Sequence, residues 1–222
     1  MIPQLSRPPF INALQAALLD RKLPGAEAHQ KMAHPIRKAN LFPTDIPVRN
    51  AAVLIVLFEK LPGDFHLIFI RRTISKEGDK HSGQIAFPGG KAEDQDPDYM
   101  YTALREAHEE TALDLSQIDV LGSLSPIYIN VSNFLVHPFL AYSWQIPILQ
   151  RQETEIEEIL ELPLSAFQAP SSVQETRIQI SPGIILNHVP CFRIDDHVIW
   201  GATAMIMSEF LQVIQPVVSS VR

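Results

Sequence analysis

Apolar residues recur along the chain with two distinct periods. Between residues 9 and 21, Phe10, Ile11, Leu14, Leu18 and Leu19 fall on one face at helical spacing. Two apolar, β-branched runs follow at 51–58 and 66–72, and the turn sequence Leu61-Pro62-Gly63-Asp64 between them predicts a hairpin. Further strand-like runs lie at 118–124, 136–144, 176–180 and 192–200. Helices are expected over 98–113 and 202–215, the second with Met205, Ile206, Phe210, Leu211 and Ile214 along one core-facing side. Strands and helices interspersed irregularly, with hairpins among them, predict an α/β fold in which a mixed sheet is covered by helices.

With 222 residues, the chain has room for one domain and an extension. Residues 1–46 are punctuated by prolines around the single helical stretch and are expected to form an N-terminal extension laid against the main domain, residues 47–222. His29 and His34, five apart, suit neither a helix face nor a common metal pair and are expected to be surface or satisfied histidines. A content of 46% hydrophobic and 19% charged residues excludes a disordered chain. The longest apolar stretch, 51–58, is far short of the ~20 residues a membrane helix needs. No basic segment followed by an apolar one opens the sequence, so no secretory signal is expected. One cysteine, Cys191, allows no internal disulfide, fits a reducing, cytoplasmic location and is expected to be a small buried apolar residue. The net charge of −7 argues against a broad nucleic-acid surface, so neither nucleic acid nor membrane is an expected partner.

Chemistry concentrates between residues 83 and 113, where a loop containing Gly89-Gly90 leads through an acidic turn into the 98–113 helix. On that helix Met100, Ala103, Leu104, Ala107 and Thr111 line one side, and Glu106, Glu109 and Glu110 cluster on another. Carboxylates at i, i+3 and i+4 repel by some tenths of a kcal/mol per pair, so the helix gains nothing from them unless a cation is bound. Hard divalent ions such as Mg²⁺ take oxygen ligands and keep water and substrate phosphate in the remaining positions. The alternative is a solvated acidic face. The loop is not a Walker A element, since Ile85 stands at the first glycine position and Ala92 at the hydroxyl position, and no G-x-G-x-x-G is present.

Gly90 followed by Arg105-Glu106-Ala107-x-Glu109-Glu110-x-Ala112-Leu113 resembles the Nudix box, G-x5-E-x7-R-E-U-x-E-E-x-G-U. Two departures stand out. The spacing from Gly90 to Arg105 is one residue longer, leaving Asp96, Pro97 and Asp98 as candidates for the first Glu position, and Ala112 replaces the usual Gly. The longer spacing, preceded by Gly83-Gln84-Ile85-Ala86-Phe87-Pro88-Gly89-Gly90, is similar to the coenzyme A pyrophosphatase subfamily, and the similarity extends over about residues 51–211. The stretch 72–83 departs from that subfamily: it is two residues longer and lacks a Leu-Arg pair, whose arginine Lys80 is expected to replace.

The resemblance implies an α/β/α sandwich and metal-dependent hydrolysis of the phosphoanhydride of coenzyme A or its thioesters. Glu106 and Glu110 are the implied primary Mg²⁺ or Mn²⁺ ligands, with Glu109 a further or water-mediated ligand and the Gly89 carbonyl an additional one. Arg105 is expected to orient a box carboxylate. The general base is open between a box glutamate and Glu155 or Glu158, whose alternative is to be solvated charges opening a short acidic helix. Arg71, Arg72, Lys76, Lys80 and Lys91 make a local positive excess for substrate phosphates. His81, Gly83, Gln84, Gly89 and Gly90 complete the expected substrate contacts, while Phe87 and Trp200 either stack on adenine or belong to the core. A different Nudix specificity, for ADP-ribose or a dinucleotide, and a Nudix-fold binding module without catalysis are the rival readings. Residues 1–46 are left with three roles: shaping the pantetheine end of the site, contacting a second copy in a homodimer, or covering the sheet.

Overall fold

The computed structural model describes residues 7–20, 22–35, 47–73, 83–181 and 183–220. Helices α1 (Pro9–Asp20) and α2 (Ala26–Lys31) precede the hairpin of β1 (Arg49–Leu61) and β2 (Asp64–Arg72). The short strands β3 (Ile85–Ala86) and β4 (Gly89–Lys91) lead into α3 (Tyr99–Thr111). Then come β5 (Ile118–Ser123), β6 (Ile127–Ile129), β7 (Phe134–Ser143), β8 (Ile156–Pro163) and α4 (Leu164–Gln168). A second sheet of β9 (Val173–Ser181), β10 (Ile184–Ile194) and β11 (His197–Trp200) ends in α5 (Gly201–Ser220).

The feature of the main sheet that builds the site is a splay. β1 and β2 pair only beside their turn, through Leu57↔Leu67 to Leu61↔Asp64. Beyond that they separate, and the segment 85–91 fills the gap: β3 pairs with β2 at Ile70 and Arg71, and β4 with β1 at Ala51 to Val53. On its other edge β1 runs parallel to β7 from Arg49↔Phe134 to Leu57↔Tyr142, while β8 closes the far side of β2. The sheet is therefore mixed, with the glycine loop held near its centre.

Both faces of β1 are buried, which explains its unbroken apolar run. Ala52, Leu54, Val56 and Phe58 pack with Ile68, Ala141 and with Ala103 and Ala107 of α3. Ala51, Ile55 and Leu57 face the other way, into a larger core with Leu67, Phe69, α1 and α5. Helix α1 contributes Phe10, Ile11, Leu14 and Leu18 to that core, so α1 covers this face of the sheet. His29 of α2 is buried and meets Glu209 of α5 at 2.8 Å; the Glu209 carboxylate also accepts from the Gly25 and Ser125 amides. These donors and the His29 partner outweigh burial and hold the Glu209 pKa below its ordinary value. His29 is thus a satisfied histidine, while His34 lies near the surface against the Asn187 carbonyl, and Cys191 is buried.

Two expectations need correction. Residues 192–200 are not one strand: Asp195 and Asp196 turn the chain between β10 and β11. Residues 156–163 are a strand, not a short acidic helix. Ile156, Leu160 and Leu162 are buried, and backbone pairing with β2 overrides the helical spacing of the glutamates.

Candidate active site

Helix α3 begins where the Asp98 side chain accepts the Tyr101 N–H, an N-cap, and ends at Ala112 in the left-handed conformation, φ 54°. Ala112 holds the conformation that glycine adopts without strain, which accounts for the residue usual at this position. Between these ends the three glutamates meet three different environments. Glu109 is exposed, Glu106 half-buried, and Glu110 only 3% exposed. The expectation that all three point away from the packed side fails for Glu110, because helical periodicity ignores the glycine loop lying over that flank.

The loop is shaped to receive these carboxylates. Glu110 Oε2 accepts the Gly89 N–H at 2.8 Å, and its Oε1 lies 3.4 Å from Arg72 Nη1. A β-carbon on Gly89 would stand 2.3 Å from the Ala52 carbonyl oxygen, and one on Gly90 would stand 2.4 Å from the Glu106 carboxylate. A side chain at Gly89 would strike backbone and one at Gly90 would displace the Glu106 carboxylate, so the two glycines set how closely strand, loop and helix approach. Burial pushes the Glu110 carboxyl up to about 8, against the lowering influence of Gly89 and Arg72, and with added repulsion from Glu106 and Glu155. Burial also raises Glu106, opposed by Arg105 and reinforced by Glu109 and Glu155.

Arg105 fixes this arrangement from the other side. Its Nε and Nη2 form a bidentate pair with Asp96 at 3.0 and 2.9 Å, while Nη1 reaches Glu106 at 3.0 Å and Glu109 at 3.1 Å. The Arg105 fork therefore holds Asp96, and single bonds from its remaining nitrogen reach the box carboxylates Glu106 and Glu109. Asp96 is the candidate for the first Glu position that takes the arginine; Asp98 caps the helix instead. The Asp96 side chain is 2% exposed, and the adjacent guanidinium holds its carboxyl well below the usual range.

Other expected contacts separate. Arg72 flanks Glu110, and its backbone clasps the loop, its N–H donating to the Gln84 carbonyl and its carbonyl accepting from Gly83. Gly83 turns the chain at φ 70°. Phe87 is a correction: it is buried and stacked on Phe69 at 4.7 Å, so its ring belongs to the core. Trp200 pairs across the second sheet with Cys191. Lys91 is exposed, and its carbonyl accepts from Arg105. Lys76, Lys80 and His81 lie outside the described residues. Of the two later glutamates, Glu158 is paired with Arg71 at 3.1 Å, and Arg71 also contacts His197. Glu155 instead adds negative potential at both Glu106 and Glu110.

Residues 48–182 match the family model for the NUDIX domain. The chain belongs to the Nudix family. Among Nudix relatives, Nudix hydrolase 15, mitochondrial, of Arabidopsis thaliana is 36% identical over 169 residues, covering 72% of this chain and 56% of its own length. Nudix hydrolase 22, chloroplastic, of the same plant is 31% identical, covering 80% of this chain and 59% of its own length. The chain thus spans less than two thirds of these plant relatives. A Nudix hydrolase called NudL from Photorhabdus laumondii is 33% identical over 167 residues, with 75% and 86% covered. The solved MutT/nudix family protein of Enterococcus faecalis aligns over 85% of this chain and 78% of its own, with a TM-score of 0.47 and 13% identity.

Nudix hydrolases generally use divalent ions such as Mg²⁺ or Mn²⁺. Among the described residues no three acidic, imidazole or thiolate side chains already form a metal cage. The donor set nonetheless suits a hard cation: Glu106 and Glu110 are carboxylates that burial and repulsion from neighbouring glutamates drive toward protonation, a tension that a bound cation relieves. Among the described residues no helix is long and apolar enough to cross a membrane.

Proposed function

We propose that the chain hydrolyses the phosphoanhydride of coenzyme A or its thioesters, giving 3′,5′-ADP and 4′-phosphopantetheine or its acyl derivative. The observation that carries this reading is the connection of the 83–90 segment to the catalytic helix. Gly83 and Gln84 are clasped by the backbone of Arg72, whose side chain reaches Glu110, and Gly89 holds the same carboxylate. The stretch that resembles the coenzyme A subfamily is thus built into the site and does more than precede it in sequence.

In this reading Glu106 and Glu110 hold Mg²⁺ or Mn²⁺, with Glu109 contributing through water and the Gly89 carbonyl as a further ligand. The ion supplies charge neutralisation at the phosphoanhydride and lowers the pKa of water. Gly89 N–H fixes the Glu110 carboxylate, and the Asp96-anchored Arg105 fixes Glu106 and Glu109, so that they need little reorganisation during the reaction. A Glu155 carboxylate oxygen takes the proton from the attacking water, since Glu158 is engaged by Arg71. As water adds to phosphorus, the bridging P–O bond breaks and the leaving phosphate carries the electron pair. Arg72, Lys80 and His81 meet the substrate phosphates.

A panel of coenzyme A, acyl-coenzyme A, ADP-ribose, dinucleotides and oxidised nucleotides, followed by product identification, tests the assignment. Preferential cleavage of a coenzyme A species supports it. Good cleavage of another member without 3′,5′-ADP from any coenzyme A species assigns the site a different Nudix specificity. No cleavage of the whole panel points to a binding module.

A further inference from the structure

Between β7 and β8, residues 144–155 run past the carbonyl end of the catalytic helix before the chain reaches Glu155. The helix stops at Thr111, so the carbonyls of Glu110 and Thr111 have no helical N–H left to accept. The connecting segment supplies both donors: Gln150 N–H reaches the Thr111 carbonyl at 2.9 Å, and Gln152 N–H reaches the Glu110 carbonyl at 3.0 Å. The backbone of a candidate metal ligand is thereby bonded to Gln152.

A tight turn follows at once. The Ile156 N–H closes it on the Gln152 carbonyl at 2.8 Å, and the Gln152 side chain folds over its open end, where Oε1 accepts the Glu155 N–H at 2.8 Å and the Thr154 hydroxyl at 2.9 Å. A side-chain oxygen that accepts the N–H three residues on is the arrangement that caps the start of a helix, a place asparagine fills well. On the other side the Glu155 carbonyl accepts the Thr73 N–H at 2.9 Å, and Thr73 follows Arg72, whose Nη1 lies 3.4 Å from Glu110 Oε1. Glu155 is thus held at its N–H by Gln152 and at its carbonyl by Thr73, and both holds lead back to Glu110. Its carboxylate belongs to an exposed residue and, among the described residues, is bonded to nothing, so its backbone decides where it points.

We infer that Gln152 is a positioning residue for the reaction: its side-chain amide fixes the Glu155 backbone, and its own N–H ties that turn to Glu110, so that base and metal ligand keep one spacing. This role rests on the reading of Glu155 as the base. The tie to Glu110 is made by backbone and survives substitution, so the side chain is the part that mutation isolates.

Amide hydrogen exchange of the metal-free full chain, read by NMR, needs no substrate. The Glu155 amide should exchange about tenfold faster in Gln152→Ala and near the wild-type rate in Gln152→Asn. With the best-cleaved member of the substrate panel at saturating Mg²⁺, Gln152→Ala should lower kcat roughly tenfold or more while KM and Tm stay near wild type, and Gln152→Asn should restore most of the loss. In a Glu155→Gln background Gln152→Ala should cost nothing further, because no base is left to position. A merely structural glutamine would lower kcat by the same factor in both backgrounds. A different Nudix specificity changes which panel member is cleaved and leaves this coupling intact. Unchanged Glu155 exchange in Gln152→Ala, or the same loss of kcat in both backgrounds, would overturn the inference directly. Wild-type kcat in Glu155→Gln, or no cleavage of any panel member, removes the base and overturns it through that reading instead.

Discussion

Replacing Glu110 by Gln separates the charge of this carboxylate from its shape. The glutamine oxygen can still accept the Gly89 N–H, but nothing at the position ionises. In the metal-free protein burial lifts the Glu110 carboxyl from 4.5 to about 8. An acid whose pKa rises on folding contributes stability that is fully present below about pH 4.5 and is lost as pH climbs to about 8, because the unfolded chain releases its proton first. At about 1.4 kcal/mol per pH unit, the window is worth on the order of 5 kcal/mol. Urea unfolding in a chelator between pH 4.5 and 8.5 should therefore show wild type losing stability relative to Glu110→Gln by several kcal/mol. Saturating Mg²⁺ should reverse this in wild type, by about 2.7 kcal/mol at a hundredfold excess over Kd, and more strongly at higher pH because the ion competes with the proton. The variant should gain little from Mg²⁺ and lose turnover by orders of magnitude. Parallel pH profiles for the two proteins in chelator, or equal stabilisation of both by Mg²⁺, would refute the assignment of Glu110 as a buried metal ligand.

Asp96→Asn, which leaves the Arg105 charge without its bidentate partner, should lower unfolding free energy by about 3 kcal/mol. Asp98→Ala, which removes only the helix cap, should lower it by about 1 kcal/mol in the same urea titration. Gly90→Ala forces the Glu106 carboxylate from its place and should reduce kcat by about a hundredfold or more, measured at saturating Mg²⁺. Glu155→Gln should lower kcat by about a hundredfold or more, whereas Glu158→Gln should leave it near wild type; the reverse order would exchange the two roles.

Local signals made part of this molecule legible from its residues alone. The β1–β2 hairpin is marked by its Pro62-Gly63 turn, and α3 by the recurrence of Met100, Ala103, Leu104, Ala107 and Thr111 along one side. What escaped depended on partners distant in sequence. The glutamates of β8 share helical spacing, and only pairing with β2 settles them as strand. Asp96, Pro97 and Asp98 are equivalent candidates until Arg105 folds back onto one of them. The burial of Glu110 needs the splay of β1 from β2 that admits the glycine loop, a feature without a periodic signature. Phe87 sits within a motif yet serves the core through Phe69, and the His29–Glu209 contact joins opposite ends of the chain.

The central claim is that the glutamates of α3 and the 83–90 loop together cleave the phosphoanhydride of coenzyme A. Mass spectrometry of coenzyme A incubated with the protein and Mg²⁺ tests it most directly. 3′,5′-ADP and 4′-phosphopantetheine are expected in equal amounts, both lost with chelator and with Glu110→Gln. Intact coenzyme A, or products undiminished by Glu110→Gln, would contradict it.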